Sequence, residues 1–366
     1  MTRPGPDAVR GVREGGRFMK RRQVMRGLAL ASLIPFGLRR AWADAAVGPL
    51  ALLVAGPVGE QTSRWGNACA LAMQSSFPGA PSIVTQPIGG LDGVTGANRL
   101  DALVVPDGKT AAILPGAALI AWLTGDSRVH FDPTRWVPVM AGCNSGVLVV
   151  NLPAGADANL ESLRALAPLK LAADEPQSND LAALLALGRL GVASAPVFGL
   201  RDMDAKMRAF VAGEVNAVFV CGEGVPEDIA PLTAAGGVPV FSLGSLDAGA
   251  NVVADPLFPD LPDVTAFGDA VTPLLDAAYR AAAVAARVDF LLVLPKLTDP
   301  DAVTQWELAA DAAMTDAALS AAASASSIVL QPAPTVVAAL NALSLPAADQ
   351  AGLQAFLAKN FGWQPS

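Results

Sequence analysis

The chain has 366 residues, 52% hydrophobic and only 16% charged, with 25 Lys+Arg against 33 Asp+Glu for a formal charge of −8. That length supplies ample core for roughly two domains, and the low charge excludes a disordered chain. The acidic balance excludes a nucleic-acid partner, which would need a basic face.

The charge is unevenly placed. Residues 1–43 carry ten basic and two acidic side chains, which leaves residues 44–366 with 15 basic, 31 acidic and a net −16. The basic cluster around Lys20-Arg21-Arg22 precedes an apolar stretch, Gly27 to Leu38, and the small-x-small sequence Ala41-Trp42-Ala43. This is the order of an export signal, predicted to be cleaved after Ala43. Arg21-Arg22 followed by Gln23-Val24-Met25 resembles the twin-arginine motif, and Met19 begins a complete signal by itself. Twelve apolar residues are too few to span a bilayer. Elsewhere the longest uncharged stretch, Ala317 to Ala348, is interrupted by Pro332, Pro334 and Pro346. The expectation is a soluble periplasmic protein.

In chain order, Leu50–Val54 reads as a strand, and Thr62 or Ser63 as the cap of a helix with Trp65, Cys69, Ala72 and Met73 on one face. Further strands are expected at Ser82–Gln86, Thr110–Leu114, Val137–Met140, Gly146–Val150, Leu169–Ala172, Ala217–Val220, Val238–Phe241 and Asp289–Leu294. Helices are expected at Asn179–Leu190, at Asp202–Ala212, and from Asp299 and Pro300 to about Leu319. Repeated β-α units with Gly-rich turns predict parallel α/β sheets.

Signals for catalysis are weak. His130 is the single histidine, no Gly-x-Ser-x-Gly elbow or phosphate loop occurs, and Gly90-Leu91-Asp92-Gly93 lacks dinucleotide-loop spacing. Cys69, Cys143 and Cys221 form no metal-binding pattern. One disulfide plus a free thiol, or three buried thiols, both remain open. No catalytic residue, metal or cofactor is assigned. Acidic side chains such as Asp174, Glu223 and Glu227 leave room for acid/base work by an enzyme.

Several segments, colinear over residues 48–330, carry a resemblance. They are Gln86-Pro87-Ile88-Gly89-Gly90 through Asn98, Val105-Pro106-Asp107-Gly108, Phe131-Asp132-Pro133 through Val139, Gly146–Asn151, Phe210–Phe219, and Phe258-Pro259-Asp260-Leu261-Pro262-Asp263. In order and spacing the chain resembles the periplasmic solute-binding proteins of tripartite tricarboxylate transporters, the Bug-type receptors. The resemblance implies an α/β type II periplasmic-binding-protein fold with a ligand cleft between two domains. One domain would comprise 44–147 plus 250–366, and the inserted one 148–249. It also implies a monomer that closes on a small organic acid and passes it to the permease subunits of the transporter.

By the same resemblance, a first anion cradle would use Gly59, Gln61, Thr62 and Ser63, with Gly90 nearby. Ser178 and Asn179 would face it from the second domain. Helix N-termini and hydroxyls can hold a carboxylate without a cation, so a net −16 does not forbid it. Phe198 and Cys221 stand where the family has pocket-facing residues of other types. Capping alone would also account for Thr62, Ser63, Ser178 and Asn179. A periplasmic enzyme on this fold and a receptor-like scaffold serving a sensor or protein partner are the rival readings.

Overall fold

In strand β1 (Leu50–Val54) alternate side chains part company, Leu52 and Val54 entering one core and Leu53 another. That period of two makes β1 a central strand, buried on both faces. The computed structural model describes residues 48–249 and 251–364, so the expected export signal falls outside the described residues. After β1 come α1 (Gln61–Gln74), β2 (Ile83–Pro87), α2 (Val94–Leu103), β3 (Thr110–Leu114), α3 (Gly116–Thr124) and β4 (Val137–Cys143). The middle of the chain forms β5 (Ser145–Val150), α4 (Leu160–Leu166), β6 (Leu171–Ala172), α5 (Leu181–Arg189), α6 (Met203–Val211), β7 (Ala217–Gly222), α7 (Val225–Ala234) and β8 (Val238–Ser242). A small hairpin, β9 (Ser245–Leu246) and β10 (Val252–Val253), leads to α8 (Pro273–Arg287) and β11 (Val288–Leu294). The chain then forms α9 (Pro300–Met314), α10 (Ala317–Ala325), β12 (Val329–Pro332), α11 (Ala333–Leu343) and α12 (Ala347–Phe361).

The larger sheet has strand order β12-β4-β11-β3-β1-β2, and the smaller one β6-β7-β5-β8. Both are mixed, which corrects the expectation of parallel sheets. β1 pairs in parallel with β2 and β3, but β11 runs antiparallel to β3 and β4, and β5 antiparallel to β7 and β8. The cause is the route of the chain. β4 leaves the larger sheet and continues as β5 of the smaller one with only Asn144 between them, and β11 later re-enters in the opposite direction. The Asn144 N–H donates to the Arg287 carbonyl at 2.8 Å, tying the outgoing and returning segments together.

Three apolar cores follow. α1, α9 and α10 cover one face of the larger sheet around Trp65, Phe290 and Trp306. α6 and α7 cover the outer face of the smaller sheet around Phe210 and Ile229. The third core is continuous between the sheets, and α8 runs through it with Ala281 to Arg287 all buried. The small alanines of this stretch let α3, α5, α11 and α12 approach it closely, while Asp276 and Arg280 of the same helix face outward and pair with each other.

Two helix boundaries differ from expectation. The helix expected to reach Leu319 stops at Met314, because the Asp316 carboxylate accepts from the N–H groups of Ala318 and Leu319 (3.0 and 2.9 Å) and starts α10. Thr62 and Ser63 lie inside the first turn of α1, whose N-cap is Glu60 with no side-chain cap. Cys69, Cys143 and Cys221 are free thiols. No helix among the described residues is long and apolar enough to cross a membrane.

Gly116 opens α3 where it presses on the α8–β11 junction. A Cβ there would meet the Val288 and Ala285 carbonyl oxygens at 2.3 and 2.4 Å, and both are backbone atoms that cannot swing away. Gly116→Ala is expected to destabilise the fold by about 2–3 kcal/mol. Equilibrium urea unfolding checks it, and an unchanged midpoint would show that the junction has slack.

Candidate functional site

Several strand ends and helix starts converge on one cavity of about 410 Å³ between the sheets. From the larger sheet come Gly56, Gln61 and Thr62 around the start of α1, Pro115 to Ala117 at the start of α3, and Val288 and Asp289 at the start of β11. From the other side come Asn179 before α5, and Cys221 to Glu223 at the end of β7, with Asn144 at the crossing. The volume suits a small metabolite.

The wall has two electrical characters. Neither α1 nor α3 has a side-chain cap, so their first-turn N–H groups, which lack intrahelical partners, lie at the cavity wall. Against this partial positive charge stand Glu60, Glu223 and Asp289, while among the described residues no Lys, Arg or His lines the cavity.

Glu223 spans the cleft. Its carboxylate accepts from Arg64 Nη2 at 2.8 Å and from Trp65 Nε1 at 2.7 Å, both on α1. The Trp65 ring is stacked on Phe290 of β11 at 5.0 Å, which fixes its N–H. Next to it the Gly224 N–H donates to the Ser326 carbonyl at 3.1 Å. With both oxygens engaged, Glu223 is a latch rather than a free acid or base. The Arg64 side chain is 56% exposed, so the pair gains at most about 1 kcal/mol from charge. The buried Trp65 contact carries the orientation.

Asp289 is the unusual group. It is 5% exposed, its Oδ1 accepts from Gln61 Nε2, and its Oδ2 is buried with no protein donor. Burial pushes its carboxyl up to about 7, reinforced by the charge of Glu223 and opposed by hydrogen bonding from Gln61 and Asn144 and by the charge of Arg64. Beside it, burial holds the Cys221 thiol at about 12, so it is a neutral donor, bonded to the Ala286 carbonyl at 3.3 Å.

Of the nine sequence-derived candidates, Gln61, Thr62, Asn179 and Cys221 are brought together on this wall. Ser178 lines an adjoining cavity of about 200 Å³ with Asp174, Arg201 and Lys206. There Ser178 Oγ and Lys206 Nζ both serve Asp180, at 3.1 and 2.6 Å, and Asp180 rather than Ser178 or Asn179 is the N-cap position of α5. Ser63 is buried within α1, and Gly59 and Gly90 sit in exposed turns outside the cavity wall. Phe198 is 37% exposed and packs edge-on against Phe361 at the end of α12, 6.2 Å away. His130 is exposed and lies off the wall.

Sequence reasoning missed Asp289 and the Pro115–Ala117 turn. The available signal was a lone acid opening the otherwise apolar run Phe290–Leu294, and a Pro-Gly pair closing β3. Among the described residues no group of His, Cys, Asp and Glu is arranged to hold a metal ion.

No protein-family model matches the sequence, and no curated protein matches it significantly. Solved structures do. A TctC solute-binding protein from Polaromonas, without ligand, superposes with a TM-score of 0.65 at 16% identity, over 86% of this chain and 99% of that one. The fold is that of a TctC-type solute-binding protein. MatC from Rhodopseudomonas palustris with bound malate is similar at a TM-score of 0.50 and 17% identity, over 84% of this chain and 98% of that one. An R. palustris protein with adipate gives a TM-score of 0.50 at 17% identity, over 88% and 100%.

The Asp289 carboxyl makes stability depend on pH. The folded chain keeps this proton up to about pH 7, whereas the unfolded chain loses it near 3.8, so stability falls as pH rises between those values and then levels off. The full effect is on the order of 4 kcal/mol. Asp289→Asn is expected to be the more stable protein at pH 8, with the advantage vanishing near pH 4, in denaturant unfolding at both pH values. An advantage independent of pH would contradict a protonated Asp289.

Proposed function

We propose that this chain is an exported solute-binding receptor that captures a small organic acid and delivers it to the permease subunits of a tripartite tricarboxylate-type transporter. The observation that carries the reading is the cavity between the two sheets, with uncapped N-termini of α1 and α3 in its wall. Such N–H groups hold a carboxylate without a formal cation. Support comes from fold neighbours, since two proteins of the same fold were solved with malate and adipate. In this reading the two sheets are the cores of two lobes, 44–147 plus 250–366 and 148–249. Asn144 and the α8–β11 junction form the hinge, and residues 1–43 direct a monomer to the periplasm.

An enzyme on the same fold is the poorer fit. Acid/base chemistry needs two titratable groups free to reach one reacting point. Of the groups that reading would use, Glu223 is engaged by Arg64 and Trp65, and Asp174 and His130 lie off this cavity wall.

A panel of C3 to C6 mono- and dicarboxylates tested by thermal shift and isothermal titration decides the matter. A cognate acid at 100 times its Kd is expected to stabilise the folded chain by about 2.7 kcal/mol, a rise in Tm of a few degrees. Absence of heat and of any Tm shift across the whole panel would remove the receptor reading.

A further inference from the structure

Helix α12 is tied at both ends to segments that build the cavity. Near its start, Gln350 Nε2 donates to the Trp122 carbonyl at 3.2 Å, close to the C-terminal end of α3. The other end of α3 is the Pro115–Ala117 turn in the cavity wall. The 15 residues of α12 carry the chain about 22 Å, to segments that belong with the smaller sheet. There Phe361 meets Phe198 edge-on at 6.2 Å and Phe356 at 5.8 Å, and the Phe356 ring lies against Gly188 of α5. Gly362 turns the chain with a φ of +67°, and Trp363 Nε1 donates to Gln177 Oε1.

Gln177 belongs to the loop between β6 and α5, residues 174–180, whose Asn179 lines the cavity between the sheets. Asp180 gathers this loop, its carboxylate accepting from the Asp174 N–H at 2.9 Å, Ser178 Oγ at 3.1 Å and Lys206 Nζ at 2.6 Å. Gln177 Nε2 donates to Glu175 Oε2 at 3.2 Å, which turns Oε1 toward the indole. An indole N–H only donates, so the amide is oriented from both sides.

Resting on the receptor reading above, we propose that α12 is a strut between the two cavity walls and that Trp363, at its tip, is the positioning residue for the loop carrying Asn179. Trp363 lies off the walls of both cavities, so it acts through Gln177. A hydrogen-bonded helix is stiff along its axis, and this one is fastened behind α3 at one end and behind the 174–180 loop at the other. A recognition loop braced from behind loses less conformational entropy when a solute arrives. The brace is separate from the Glu223 clasp, which joins the turn after β7 to α1.

Hydrogen–deuterium exchange of the full chain, read by mass spectrometry on peptides covering 174–182, tests this. The reporters are the Ser178 and Leu181 N–H groups, which donate to the Glu175 and Ser178 carbonyls at 3.1 and 3.0 Å. Trp363→Phe keeps a ring and loses the donor. In it those amides are expected to exchange about tenfold faster, while peptides of α1 and the urea midpoint keep wild-type values. A chain ending at Gly362 is expected to behave alike and gives the answer should Trp363→Phe fail to fold. Gln177→Ala is expected to accelerate the same peptides, and Gln177→Ala with Trp363→Phe to add nothing further. Unchanged exchange over 174–182 on loss of the indole would overturn the proposal. So would fully additive effects in the double variant, or acceleration spread over the whole molecule with a lowered midpoint. No ligand enters these measurements, so their failure leaves the receptor reading to the carboxylate panel.

Discussion

An arginine with only 4% of its surface exposed sits where the two sheets meet, and the rest of the architecture leans on it. Arg287 is the last residue of α8. Its Nε donates to the Gly244 carbonyl at 2.9 Å and its Nη2 to the Leu243 carbonyl, so the end of α8 is fastened to the chain leaving β8. Burial lowers its affinity for a proton, yet a guanidinium remains charged in proteins, so those carbonyls repay desolvation of the ion. The position is consistent with the helix field, since a cation at a helix C-terminus is stabilised by the dipole. Its own carbonyl then accepts from Asn144, and the next residues, Val288 and Asp289, start β11 in the cavity wall. One residue thus ties α8 to the chain after β8 through its side chain, and to the β4–β5 crossing through its backbone.

From that anchor the cleft acquires unequal walls. Two helix starts present backbone donors that cannot move without unwinding a turn, whereas Glu223 reaches the opposite wall through side-chain contacts that can break. A rigid donor set with a releasable clasp is the combination that closure around a solute demands. The core around α8 is continuous between the two sheets, because α5 from one side and α3 from the other both pack on that helix.

Much of this was legible in the primary structure, and the failures are instructive. Leu50–Val54, Thr110–Leu114 and Asp289–Leu294 declare themselves as strands by their apolar runs, the last two behind one polar residue each, and the order of motifs pointed to the solute-binding fold that the solved structures share. Strand direction was not legible, because a period of two is the same in both directions, so the mixed sheets were unforeseen. The break at Asp316 was hidden by alanines on both sides that favour helix equally well; only the geometry of its carboxylate distinguishes a cap from a surface acid. Thr62 and Ser63 looked like caps by type, but the helix begins one residue before Thr62. Asp289 marked the edge of a strand, and nothing local indicated that it would lie opposite Gln61, 228 residues away in sequence.

The contact between Trp65 and Glu223 has an optical consequence. An indole stacked on Phe290, with its N–H held by a carboxylate of the opposite wall, is in an environment that exists only while the walls are together. Parting them exchanges that carboxylate for water and changes the polarity felt by the ring, while its stacking partner stays on the same sheet. In the receptor reading, Trp65 would be a fluorescent gauge of opening, placed in the clasp and needing no attached dye.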